Sequence, residues 1–306
     1  MSAVTAAKLG TGLGLRQLLR DYLALTKPRV ISLLLITALA GMVVAEKGWP
    51  GISLVLAVLV GGALAAGGAN AINMWFDRDI DAQMYRTRLR PIPAGRVRPG
   101  SALAFGIALN GIAFILLASR ANLLAATLTL AASAVYVLLY TMLLKRSTTQ
   151  NIVIGGAAGA LPPAIGYAAV TGAVDLTAFY LFAIVFFWTP PHFWALALRL
   201  NNDYGRAQVP MLQVVRGRQE TERQIFLYSL VLLAITMLLG LRGFGTFYMV
   251  SALLLGAGFV AMAVLTMRDP GTRWARRTYK YSLLYLALVF AAMVGDALLR
   301  GAAGFR

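Results

Sequence analysis

The sequence contains no cysteine and a single histidine, His192. These absences exclude a disulfide framework, an iron–sulfur cluster and a thiolate zinc site, and within one chain they exclude multi-histidine metal centres and bis-histidine haem ligation. Charge is also scarce: 13% of the 306 residues are charged, against about a quarter in soluble domains. Acids are the rarer sign, 11 against 28 Lys and Arg, for a formal net charge of +17. With 59% hydrophobic residues, the composition is that of an integral membrane protein.

What is abundant is long apolar runs. Runs near the ~17–25 residues that cross a bilayer core as a helix lie at Val30 to Ala45, Ile52 to Ile72, Ser101 to Ser119, Ala121 to Leu144, Asn151 to Val174, Leu176 to Leu198, Ile225 to Leu241, Phe244 to Met267 and Tyr281 to Leu299. They predict an all-α polytopic membrane protein: nine transmembrane helices in one domain over residues 30–300, after an arm at 1–29 and before a tail at 301–306. A β-barrel is excluded because stretches such as Leu123 to Leu144 do not alternate. The amino end and the loops after spans 2, 4, 6 and 8 share one side and carry 23 basic residues; the other side has Lys47, Arg120, Arg242, Arg300 and Arg306. The positive-inside rule then predicts a cytoplasmic amino terminus and an outer carboxyl terminus. The arm lacks the apolar core of a signal peptide. It reads either as an amphipathic element on the membrane surface or as an unstructured segment, and the expected location is a prokaryotic plasma (inner) membrane.

Chemistry concentrates where span 2 ends. Asn70 to Asp81 places three aspartates beside a membrane span, where ionised carboxylates are costly unless they serve something. If the helix continues, Asn73, Asp77 and Asp81 fall on one face at spacings of four, and Asp79 points elsewhere. Stacked carboxylates repel, and a hard divalent cation relieves the repulsion; magnesium favours one or two carboxylates plus phosphate oxygens and water. Downstream stand Arg86, Arg88, Arg90, Arg96 and Arg98, with Pro91 and Pro93 stiffening the path. Guanidinium groups suit bidentate phosphate recognition, so the segment reads as a magnesium-diphosphate site at a membrane surface. The alternative is an interfacial belt of salt bridges, and Arg96 and Arg98 read better as topogenic or lipid-headgroup residues.

Five segments carry a resemblance. Asn73-x-x-x-Asp77-x-x-x-Asp81 is followed by Met84-x-Arg86-Thr87-x-x-Arg90-Pro91-x-Pro93, then by Tyr140-Thr141 with Leu144-Lys145-Arg146 and Asn151, by Gly155 to Pro163, by Trp188 to Leu198, and by Asp203-Tyr204 with Val209-Pro210-Met211-Leu212. In this order they resemble the UbiA-type intramembrane prenyltransferases, and among them the branch that farnesylates protohaem IX. The resemblance implies a helical bundle around a central cavity and transfer of the farnesyl group of farnesyl diphosphate to a vinyl group of haem B, giving haem O for terminal oxidases. It implies that Asn73, Asp77 and Asp81 hold magnesium on the diphosphate and that Asp203 stands in the second acidic motif. Ala207 occupies the place of that motif's second acid, and Gln208 and Gln213 replace an expected Gly and Pro.

Magnesium and basic groups would stabilise charge building on the departing diphosphate. The expected diphosphate ligands are Arg86, Arg90, Lys145, Arg146, Arg206 and Arg216, with Lys145 also counted among the catalytic groups beside Asn73, Asp77, Asp81 and Asp203. Pro162-Pro163 and Pro190-Pro191 would bend spans 5 and 6 around an apolar channel, or serve packing alone. His192, flanked by Trp188 and Trp194, reads either as a haem contact together with those rings or as a packed core histidine. Asp296, near the outer end of span 9, reads as reaching water and is not expected to be catalytic. The expected partners are farnesyl diphosphate, haem B and the lipid bilayer, with haem-biosynthesis or oxidase-assembly membrane proteins left open and no nucleic acid. Rival readings are prenyl transfer to an aromatic or quinone precursor, an ion pathway through Asp77, Asp81 and Asp203, and a non-catalytic haem-handling factor.

Overall fold

The computed structural model describes residues 14–199, 205 and 208–303. Among them the regular elements are all helical: α1 (Leu15–Thr26), α2 (Pro28–Glu46), α3 (Ile52–Phe76), α4 (Arg78–Gln83), α5 (Pro99–Arg120), α6 (Leu123–Ala134), α7 (Asn151–Thr171), α8 (Leu176–Ala197), α9 (Leu212–Val215), α10 (Gly217–Leu239), α11 (Thr246–Met267) and α12 (Arg273–Ala303). α6 continues as a π-helix over Val135–Leu144, and α10 closes in a 3-10 turn over Gly240–Arg242. Nine helices among the described residues are long and apolar enough to cross a membrane, as the apolar runs predict. Two start about two turns earlier than their runs, α10 at Gly217 and α12 at Arg273. The reason is that their first turns are polar, so hydropathy marks only the later, apolar part of each helix.

The long helices pack as a ring in chain order, and α12 closes it against α2. α2 also packs along α7 and divides the bundle into two halves, each with its own apolar core. Lipid supplies little hydrophobic drive between helices, so close approach of small residues matters more than area. The α2–α7 contact shows this: a Cβ on Gly41 would meet the Pro163 carbonyl, and one on Gly166 the Ala38 carbonyl. Gly166→Ala should therefore lower thermal stability in detergent by the ~1–3 kcal/mol typical of overpacking. Gly159→Ala, whose Cβ meets nothing within 4 Å, should be neutral or mildly stabilising because alanine favours helix. Equal losses in the two variants would contradict the close contact.

Residues 15–26 are helical. α1 is an amphipathic helix that leaves Leu15, Leu18, Leu19 and Leu23 exposed and buries Leu25 against Ala71, Met74, Ile92, Val97 and Ala102. Asp21 pairs with Arg96 at 2.9 Å. Arg96 is thus tied to α1 rather than free for lipid headgroups, and the expected boundary at residue 29 falls inside a packed unit. At the other end α12 runs to Ala303, past the expected start of the tail.

The proline pairs lie inside α7 and α8 without ending either helix. Pro162 lines an apolar cavity of about 360 Å3 enclosed by α2, α3, α6 with its π-helical extension, α7 and the edge of α8. Asp296 does not reach water: it is buried, and its carboxylate accepts from the backbone N–H of Gly245 and Tyr248, closing the first turn of α11.

Candidate active site

The helix of span 2 breaks at Asp77 and restarts as α4, yet the i to i+4 ladder passes through the break: Asp77 N donates to Asn73 O at 2.9 Å and Asp81 N to Asp77 O at 2.8 Å. Asn73, Asp77 and Asp81 therefore stay on one inward face, and Asp77 and Asp81 are 0% and 2% exposed. Asp79 turns outward and takes both arms of the Arg146 guanidinium at 2.7 Å. That bidentate bond holds the Asp79 carboxyl below its ordinary range.

Each inward acid has a cation. Lys145 Nζ donates to Asp77 Oδ2 at 2.5 Å, and Arg90 donates through one nitrogen to both oxygens of Asp81 at 2.9 and 2.7 Å. Arg146 stands 3.6 Å from Asp77 Oδ1. Thr87 Oγ1 donates to the Asp81 carbonyl and holds the arginine-rich segment over α4. Asn73 lies between: its Nδ2 donates to Asp77 at 2.7 Å and to Thr141 at 3.1 Å, while its Oδ1 accepts from Lys27 Nζ at 2.9 Å. Lysine only donates and a carboxylate only accepts, so these neighbours fix which way the amide points. Asn73 thus offers its oxygen to Lys27 and reaches a metal only if that lysine moves.

Lys27 and Thr141 complete the cradle, and charge counting does not find them. Lys27 sits in the left-handed region (φ 55°) at the joint between α1 and α2, just before Pro28, which turns its ammonium inward from the membrane edge. Burial, and then the nearby Arg90 and Lys145 charges, lower its pKa to about 7. An incoming anion would restore its full charge. Thr141 belongs to the π-helix, where Thr141 Oγ1 donates to Tyr136 O and Lys145 N to Tyr140 O, both across five residues. This widened turn brings Tyr136, Thr141 and Lys145 to one face, and π segments recur at functional sites.

The cradle adjoins the apolar cavity. Asn70 and Tyr136 line the cavity's polar end, 3.4 Å apart from Oδ1 to Oη, beneath Asn73. The remaining wall is mostly aliphatic, with Tyr140 and Phe193 and the side chains of Thr129, Ser133 and Thr189. A charged head with an apolar tail matches this arrangement of cations above a greasy slot.

Not every expected residue joins. Arg86 and Arg216 are exposed and make no ion pair among the described residues. Asp203 and Arg206 lie outside the described residues. Trp188 and Trp194, expected as haem contacts, are packed into the core: Trp188 Nε1 donates to Ser282 O at 2.8 Å, and Trp194, 2% exposed, abuts Tyr228 edge-on. His192 lies between Trp188, stacked at 4.3 Å, and Tyr279, with Nδ1 bonded to Ser282 Oγ at 2.6 Å. Its Nε2 has no protein partner among the described residues.

Magnesium fits the donor set. Asp77 Oδ1 is buried without a hydrogen-bond partner, a hard oxygen left for a cation, and Asp81 supplies a second carboxylate. Among the described residues no group of three His, Asp or Glu forms a metal cage, which suits an ion that completes its shell with substrate phosphate and water.

The chain belongs to the UbiA prenyltransferase family, whose sequence profile matches residues 34–297. Within it the chain is 54% identical to the protoheme IX farnesyltransferase of Symbiobacterium thermophilum, over 92% of this chain and 95% of that one. It is 52% identical to the enzyme of that name from Thermosynechococcus vestitus, over 96% and 94%. It is also 56% identical to that of Thermus thermophilus, over 90% of this chain but 46% of the longer relative. The fold is that of a digeranylgeranylglyceryl phosphate synthase (TM-score 0.76, 19% identity, 92% and 99% covered). It is also that of a UbiA homologue from Archaeoglobus fulgidus bound to DMAPP and Mg2+ (TM-score 0.63, 16% identity, 89% and 99% covered).

Proposed function

We propose that this membrane enzyme transfers the farnesyl group of farnesyl diphosphate to a vinyl group of haem B, making haem O for a terminal oxidase. The observation that carries the reading is the junction of the Asp77–Asp81 cradle with the apolar cavity: one end suits a diphosphate, the other an isoprenoid tail. The haem acceptor rests on the relatives that are 54% and 56% identical over the aligned residues.

Asp77 and Asp81 would hold magnesium, with Asp203 expected from its motif as a further ligand, and the ion would supply positive charge to the diphosphate oxygens. Arg90, Lys145, Arg146 and Lys27 add charge on the same side, with Arg86 and Arg216 exposed on it and Arg206 a further expected ligand. As the allylic carbon–oxygen bond breaks, its electrons leave with the diphosphate, and these preorganised cations stabilise the charge that grows there. The vinyl group's electrons form the new carbon–carbon bond to the farnesyl C1. Water then captures the cation left beside the porphyrin ring and loses a proton, leaving a hydroxyethylfarnesyl substituent. The apolar cavity keeps bulk water from the allylic cation until the vinyl group reaches it. The excess of basic residues in the loops on this side supports a cytoplasmic face of a prokaryotic plasma membrane.

His192 is the haem contact, through Nε2, with Trp188 and Ser282 orienting the ring. His192→Ala should raise the KM for haem about tenfold or more and leave the KM for farnesyl diphosphate unchanged. Equal changes in both would assign the histidine to packing. Offered haem B and an aromatic carboxylic acid together, the enzyme should farnesylate only haem; prenylation of the aromatic acid would overturn the acceptor assignment.

A further inference from the structure

At the end of the bundle opposite Asp77 lies a second, larger cavity of about 870 Å3 that the transfer reaction leaves unused. It opens where α2 ends, where the turn between α10 and α11 folds over, and where α12 nears its end. Lys47, Arg242 and Arg300 line it together with Trp49, Tyr167 and Phe244.

Among the described residues, basic residues are few at this end: Lys47, Arg120, Arg242 and Arg300. Scarcity there is what the positive-inside rule expects. The rule does not explain why three of the four, from distant parts of the sequence, come to one cavity. Nor are they neutralised by carboxylates, since none of the three makes an ion pair among the described residues. Asp296 is on the cavity wall but nearly fully buried, and its oxygens accept from the backbone N–H groups of Gly245 and Tyr248 rather than from any of the three cations. Asp175, which faces Arg242, is committed to Thr177 N, Ala178 N and the Tyr167 hydroxyl. Glu46 is exposed at the rim, also unpaired.

Two arginines and a lysine that make no ion pair among the described residues suit an oxyanion with several acceptor oxygens. The surroundings select an amphiphilic one. Trp49 and Tyr167 are rings of the kind that sit at the lipid–water boundary, and exposed Leu241, Leu298 and Leu299 continue from the cavity onto the outer surface. We infer that this cavity binds the phosphate headgroup of an anionic phospholipid, with the acyl chains lying along these leucines. A free phosphate would use the cations and leave the leucines without a role.

The test is native mass spectrometry of the full-length protein in detergent, titrated with phosphatidylglycerol or phosphatidylcholine. The expected result is one retained phosphatidylglycerol, preferred over phosphatidylcholine about tenfold or more. Arg242→Gln/Arg300→Gln should abolish that preference and Arg242→Lys/Arg300→Lys should keep most of it. Arg120→Gln, which removes a positive charge at the same end but outside the cavity, should change nothing. These variants should keep the wild-type rate of farnesyl transfer, which shows that they fold. Equal retention of the two lipids, an equal loss in Arg120→Gln, or displacement of the lipid by excess inorganic phosphate would each overturn the inference, the last by showing a site for free phosphate.

Discussion

Asp77→Asn is expected to slow farnesyl transfer by about a hundredfold to a thousandfold, the loss seen when a preorganised charge at a reacting site is removed. Asparagine keeps the size of the side chain and can still accept from Asn73, but it cannot hold a divalent cation as a carboxylate does. Asp77 is fully buried and meets Lys145, so the substitution also strands a lysine charge, which costs stability by itself. The double variant Asp77→Asn/Lys145→Met separates the two effects: stability should recover and the rate should not. Asp81→Asn should behave alike, with Arg90 as its stranded partner. Single-turnover rates at saturating farnesyl diphosphate are the readout, and wild-type rates in both variants would remove the metal–diphosphate site from Asp77 and Asp81.

Gly159→Phe is expected to change which isoprenoid the enzyme accepts. Gly159 lines the apolar cavity, and a Cβ added there meets nothing within 4 Å, so a benzyl group would fill space rather than disturb the fold. In a slot of about 360 Å3 the ring would compete with the far end of a farnesyl chain and spare a chain one isoprene unit shorter. Several methylene contacts are lost at once, at about 1 kcal/mol or more each. The kcat/KM for farnesyl diphosphate should therefore fall about a hundredfold relative to that for geranyl diphosphate. Parallel losses for both donors would mean that the tail lies elsewhere.

The membrane architecture was legible because apolar length is a one-dimensional property, and nine runs became nine spanning helices. The helical starts at Gly217 and Arg273 were not, since polar turns that continue a helix outside lipid leave no hydropathy signal. In the site, the four-residue spacing of Asn73, Asp77 and Asp81 could be read directly. The link from Lys27 to Asn73 could not, because the two are 46 positions apart and Lys27 looks like one more topogenic charge. The π-helix was equally hidden: a period of 3.6 residues does not place Thr141 and Lys145 with Tyr136, whereas bonds across five residues do. The packing of Trp188 and Trp194 was not legible either. Aromatic rings beside a lone histidine suggest a haem surface, but a tryptophan indole also fills helix interfaces, and here both rings are spent on packing against α10 and α12.

The most direct test of the account is to incubate the purified protein with haem B, farnesyl diphosphate and magnesium and to examine the haem by mass spectrometry. A haem that gains a farnesyl group and one hydroxyl, only when magnesium is present and not in Asp77→Asn, is the expected result. Haem B recovered unchanged from a folded, magnesium-loaded enzyme that consumes farnesyl diphosphate with another acceptor would contradict it.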